Sequence, residues 1–237
     1  MTGARPPSKP PSKSGGTVDA FLRRLAATPA ARRQAGRAGR LFFAMDATAS
    51  REPSWDQACQ IQGEMFLVTE ALGGLEVQLC YYRGFGEFAA TPWLASSVEL
   101  VRRMTGVACR GGQTQIGRVL AHAAAEARKG RVNALVFVGD AFEEDIDAVA
   151  QRAGELGVLG VPAFMFHEGS DAVARRAFEA VARLTGGQYC AFDASSAQQL
   201  RDLLAAVAVF AAGGRTALED FGKARGGLAL RLAHRPR

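Results

Sequence analysis

The sequence predicts an α/β fold: a mostly parallel, doubly wound sheet with helices on both faces in three layers. Two observations carry this. Along residues 41–213, short continuous apolar runs alternate with segments of helical period, the pattern of strands joined by crossover helices. Two of those runs, Leu41–Met45 and Ala134–Val138, give way to a carboxylate, Asp46 and Asp140, where a strand buried on both faces would reach the sheet's rim. The chain has 237 residues, 48% of them hydrophobic, enough for one core of ordinary size without disulfides or metal staples.

The elements follow in order. Residues 1–16 are rich in Pro, Ser, Lys and Gly and read as a disordered basic tail. Within a basic helical extension over 17–40, Val18, Phe21, Leu22 and Leu25 line one helical face that suits docking on the body, and Thr28-Pro29 interrupts it. The domain proper is expected over 41–213. Leu41–Met45 is a buried strand ending at Asp46, and Asp56–Leu72 is helical up to Gly73-Gly74. Val77–Tyr82 is a second strand, and Gly84 and Gly86 turn it into an edge strand within Glu87–Leu94. Helices are expected at Ser96–Met104, Ile116–Lys129, Glu143–Leu156, Asp171–Leu184 and Ala197–Ala211. Strands are expected at Ala134–Val138, Val161–Phe166 and Gln188–Phe192. Residues 214–237 read as a second basic tail.

The net charge of +6 conceals an asymmetry. Residues 1–40 hold nine Lys/Arg against one Asp, and 214–237 hold six against two acids. The body between them is therefore acidic, at −6. Basic arms of this kind suit acidic partners or nucleic acid through counterion release. No apolar run approaches the ~20 residues that cross a bilayer, and the N-terminus lacks a secretory apolar region, so no membrane partner is expected. Cys59, Cys80, Cys109 and Cys190 are widely spaced and form no CxxC pair, which suits reduced thiols in a cytoplasm.

Most enzyme classes recede. The chain has no GxxxxGK[ST], no GxGxxG after its first strand, no GxSxG and no HExxH. Its three histidines are His122, His167 and His234. What it does have lies at predicted strand ends, where parallel α/β sheets build their sites. The first strand leaves through Asp46-Ala47-Thr48-Ala49-Ser50, a later one ends Gly139-Asp140, and Gly111-Gly112-Gln113-Thr114 turns into a helix. Asp46, Thr48 and Ser50, spaced two apart, can turn short oxygen-bearing side chains toward one ion. With Thr114 and Asp140 the inventory is all oxygen, which suits Mg²⁺, Mn²⁺ or Ca²⁺. Glu143 and Glu144 are expected to favour the first turn of their own helix.

On these residues the chain resembles the von Willebrand factor A (VWA) domains over about Leu41–Ala212. That family carries a metal-ion-dependent adhesion site of the form Asp-x-Ser-x-Ser, then a distant Thr, then a distant Asp. Asp46, Thr48, Ser50, Thr114 and Asp140 match it in type and order, with Thr48 in place of the usual serine and Gly139-Asp140-Ala141 in place of Thr-Asp-Gly. The resemblance implies a six-stranded sheet with one antiparallel edge, a Mg²⁺-type ion on the rim, and a protein partner whose carboxylate completes the ion's shell. In bacterial relatives it implies work beside chaperone-like ATPases. Trp55 and Phe142 flank the ion loops as candidate partner anchors, and His167 at another strand end as a shaper of the binding surface. Two alternatives stand beside this reading. One is a metal-dependent phosphohydrolase with Asp46 as nucleophile, although position 48 is Thr rather than the expected general acid. The other is a nucleic-acid-associated scaffold working through the tails.

Overall fold

The computed structural model describes residues 14–28, 38–52, 55, 65, 68–69, 74–192 and 197–224. Residues 1–13, most of the 30–40 continuation, most of the Asp56–Leu72 helix with Cys59, and 225–237 lie outside them. The strands are β1 (Gly39–Asp46), β2 (Leu75–Arg83), β3 (Glu87–Ala90), β4 (Ala134–Gly139), β5 (Ala163–Glu168) and β6 (Gln188–Phe192). They form one six-stranded sheet in the order β3-β2-β1-β4-β5-β6. All neighbours run parallel except β2 with β3, so the expected antiparallel edge is present.

Each central strand is apolar on both faces because helices cover both. Leu41, Phe43 and Met45 of β1 point into one core; Phe42 and Ala44 point into the other. On the first face lie helices α1 (Ser14–Ala27), α2 (Ser97–Thr105) and α6 (Ala197–Ala224). On the second lie α3 (Ile116–Lys129), α4 (Ile146–Val158) and α5 (Ala172–Thr185). Phe21 and Leu25 of α1 are fully buried in the first core, so the N-terminal helix docks on the body, and it stops at the residue before Thr28-Pro29.

Two segment boundaries fall elsewhere than the composition placed them. Helix α1 already includes 14–16, assigned above to the disordered tail. At the other end α6 does not stop at Ala211. It runs on to Ala224 through a break at Gly214, and Leu218 is fully buried. Residues 214–224, expected in the C-terminal tail, are packed onto the first core by Leu218, with Ala217 and Phe221 beside it.

Candidate functional site

Strand order reverses between β1 and β4: the chain works outward from β1 to β3, then returns and works outward from β4 to β6. Ligand sites of open α/β sheets lie at the carboxyl ends of the strands beside such a reversal. Asp46 is the last residue of β1, and Asp140 directly follows β4. Gly139 lets the two ends approach. A Cβ there would lie 3.5 Å from the Cβ of Asp46 and 2.8 Å from the Phe137 ring.

Asp46 is fully buried. Its Oδ1 accepts the Thr48 backbone N–H at 2.7 Å, and its Oδ2 accepts the Tyr82 hydroxyl at 3.0 Å. The parallel register puts Tyr82 level with Asp46 on the neighbouring strand. Burial raises the Asp46 carboxyl above its ordinary range. The charge of Asp140 pushes the same way, against the hydrogen bonds from Thr48 and Tyr82. Burial, and after it the Asp46 charge, pushes the Tyr82 phenol well up, so it stays a donor.

Thr48 and Ser50 place their hydroxyl oxygens 3.2 Å apart. Thr114 reaches the third loop: its Oγ1 accepts the Glu143 N–H at 3.0 Å, and its own N–H donates to Glu143 Oε2 at 3.3 Å. Thr114 is thereby tied to the segment that follows Asp140. Asp140 Oδ1 is buried and accepts no hydrogen bond. That orphaned acceptor, with the Asp46 carboxylate and the hydroxyls of the adjoining loops, fits a hard divalent cation. Among the described residues no group of three or more His, Cys, Asp or Glu side chains is placed to hold a metal; the rim's donors are carboxylates and hydroxyls together.

The three candidate partner anchors are not surface groups. Trp55 is buried, donating its indole N–H to the Met104 carbonyl at 3.1 Å and meeting Tyr81 edge-on. Phe142 turns into the second core. His167 is buried against Phe178, with Nδ1 2.9 Å from the Tyr189 hydroxyl. Each large ring finds apolar neighbours within the body, which is where it gains most.

Glu143 and Glu144 also act differently from expectation. Their own helix α4 is capped by Asp145, which accepts from Ala148 N–H at 2.8 Å. Glu144 instead caps α3, whose preceding Gln115 offers no side-chain cap: it accepts the N–H groups of Ile116 and Gly117, the latter at 2.9 Å. Glu143 and Glu144 together clamp the Thr114 loop to the Asp140 loop. Glu144→Ala is expected to lower stability by about 0.5–2 kcal/mol, the range for losing a helix cap. Urea denaturation checks this, and an unchanged midpoint would refute the capping role.

Three rim residues were not singled out from the sequence. Tyr82 was visible only as the end of an apolar run. Arg51, directly after the Asp-x-Thr-x-Ser string, is 1% exposed and forms an ion pair with Glu168 at the end of β5. Phe85, between two glycines at the β2–β3 turn, is 85% exposed. This turn lies at the carboxyl end of β2, and the Gly84 carbonyl accepts the Gln113 N–H at 3.3 Å, which places Phe85 beside the Thr114 loop.

With the geometry in place, comparison with known proteins identifies the fold. No family model and no curated protein matches the chain. Solved structures do. A von Willebrand factor type A protein from Catenulispora acidiphila superimposes with a TM-score of 0.59 at 15% identity, over 73% of this chain and 43% of that one. The SpRpn10 VWA domain gives 0.56 at 13%, over 71% and 94%. Proximal thread matrix protein 1 from the mussel byssus, with a zinc-occupied MIDAS motif, gives 0.55 at 16%, over 72% and 48%. The chain thus spans less than half the length of the first and third. The architecture is the VWA fold.

Proposed function

We propose that this chain is a protein-interaction module that binds an acidic side chain of a partner through a divalent ion, Mg²⁺ or a similar cation, held by Asp46, Thr48, Ser50, Thr114 and Asp140. The observation that carries this reading is the buried, unpartnered Asp140 Oδ1 beside Asp46 at the reversal of strand order. Two carboxylates leave a divalent ion with water in its shell, and an incoming Asp or Glu can replace one water. The mussel protein's occupied motif supports the reading by analogy. Phe85 supplies what Trp55, Phe142 and His167 do not, an exposed ring on the same rim. Arg83 and Arg110 stand near it but are paired with Glu87 at 2.7 and 3.1 Å, so the ion rather than these arginines is the free electrophile. Asp46 lacks a second carboxylate two residues on, and burial pushes the Cys109 thiol up to about 11, so neither is poised as a nucleophile. The widely spaced thiols suit a cytoplasmic setting.

The test is partner capture from native lysate in Mg²⁺ and in EDTA. Binding is expected to need both Mg²⁺ and Asp46, to disappear in Asp46→Ala, and to weaken by about 2 kcal/mol in Phe85→Ser without loss of thermal stability. A partner held equally well in EDTA and by Asp46→Ala would end this reading and move attention to the basic tails.

A further inference from the structure

Arg51 is a buried charge for which the five oxygen ligands give no reason. It closes the short 3-10 turn Ala49–Arg51 that follows β1, yet its guanidinium is paired with Glu168, the last residue of β5. Strands β1 and β5 are not neighbours; β4 lies between them. Two strand spacings amount to about 10 Å. The pair thus links the loop after β1 to the end of β5, and Asp140 follows the strand that lies between them. Burial lowers the Arg51 guanidinium below its ordinary value, and the charges of Asp140 and Asp46 oppose that by favouring its charged form. This corner of the rim therefore contains three carboxylates and one buried guanidinium.

The geometry points to Arg51 as the rim's resident cation: it partly neutralises Asp46 and Asp140 when no ion is bound, repels an entering divalent ion, and so sets the site's metal affinity. Glu168 draws the guanidinium toward β5 and limits that repulsion. The inference rests on the metal reading proposed above and adds its regulation. The wild-type rim binds a divalent ion weakly by itself, and the partner's carboxylate supplies the negative charge that Arg51 has cancelled, so ion and partner bind together. A buried charge so placed has a large effect because it is poorly screened.

The experiment is titration of the full 237-residue chain with Mn²⁺ alone, followed by the loss of the free-ion EPR signal. Arg51→Gln is expected to bind Mn²⁺ about tenfold or more tightly than wild type. Glu168→Gln is expected to bind it more weakly, because Arg51 then faces the two aspartates alone. Asp46→Ala placed in the Arg51→Gln background is expected to abolish the gain. Removing one member of a buried pair can prevent folding, so Arg51→Met with Glu168→Gln, which removes both members of the Arg51–Glu168 pair, provides a second route and is expected to shift affinity upward as well. Circular dichroism establishes which variants are folded. Equal or weaker Mn²⁺ binding by folded Arg51 variants overturns the role of Arg51 and leaves the metal site standing. No Mn²⁺ binding by wild type or any folded variant overturns both.

Discussion

Phe164→Ala is expected to destabilise the protein by about 3–5 kcal/mol, the range for deleting a fully buried aromatic ring. Phe164 lies in β5 and has no exposed surface. Its ring meets Phe21 of α1 at 6.2 Å and Phe210 of α6 at 6.0 Å, both edge-on. One side chain thus joins the N-terminal helix, the sheet and the last helix. Truncation leaves a cavity at that junction, and three separate elements can collapse into it only in part. Urea denaturation followed by circular dichroism measures the loss. A value below about 1 kcal/mol would mean that α1 does not rest on the sheet in solution.

Gly112→Ala is expected to eliminate Mg²⁺-dependent partner binding while leaving a folded protein. A Cβ at this position would fall 2.1 Å from the Gly84 carbonyl oxygen, a backbone atom that cannot rotate aside. The Thr114 loop or the β2–β3 turn must move, and either motion spoils the rim: the first displaces Thr114, the second Phe85. Overpacking of this kind costs about 1–3 kcal/mol, and the core lies elsewhere, so the thermal transition should fall without disappearing. Partner capture in Mg²⁺ together with a melting curve checks both halves. Full binding by the variant would show that the contact between these two loops is not needed.

Much of the fold was legible because its period is strong. Helix α3 was read end to end over Ile116–Lys129, and β6 over Gln188–Phe192. Strand β1 begins two residues earlier than its apolar run, because Gly39 and Arg40 carry no apolar signal; Arg40 is held by Glu76 at 2.7 Å and lies over the Trp93 ring. The continuation of α6 was hidden by Gly213-Gly214, which looks like a stop and is only a break. At the rim, residue types and spacing named the oxygen-bearing side chains. What they could not reveal was anything that depends on which strands are neighbours. The register that brings Tyr82 to Asp46, the pairing of Arg51 with Glu168, and the capping of α3 by Glu144 from the segment that leads into α4 are all non-local. Exposure failed for the same reason: an aromatic next to a loop motif gives no sign of whether it turns inward, as Trp55 and Phe142 do, or outward, as Phe85 does.

Helices α1 and α6 pack against each other on one face of the sheet. The segments beyond them, 1–13 and 225–237, contain three and four Lys/Arg and no acid. Both are therefore attached to the same layer, and a polyanion held by one arm is expected to meet the other at raised effective concentration. Two weak grips so tethered are expected to act as one bivalent clamp. Trimming either arm should then lower avidity far more than its share of the charge, independently of whatever the rim holds.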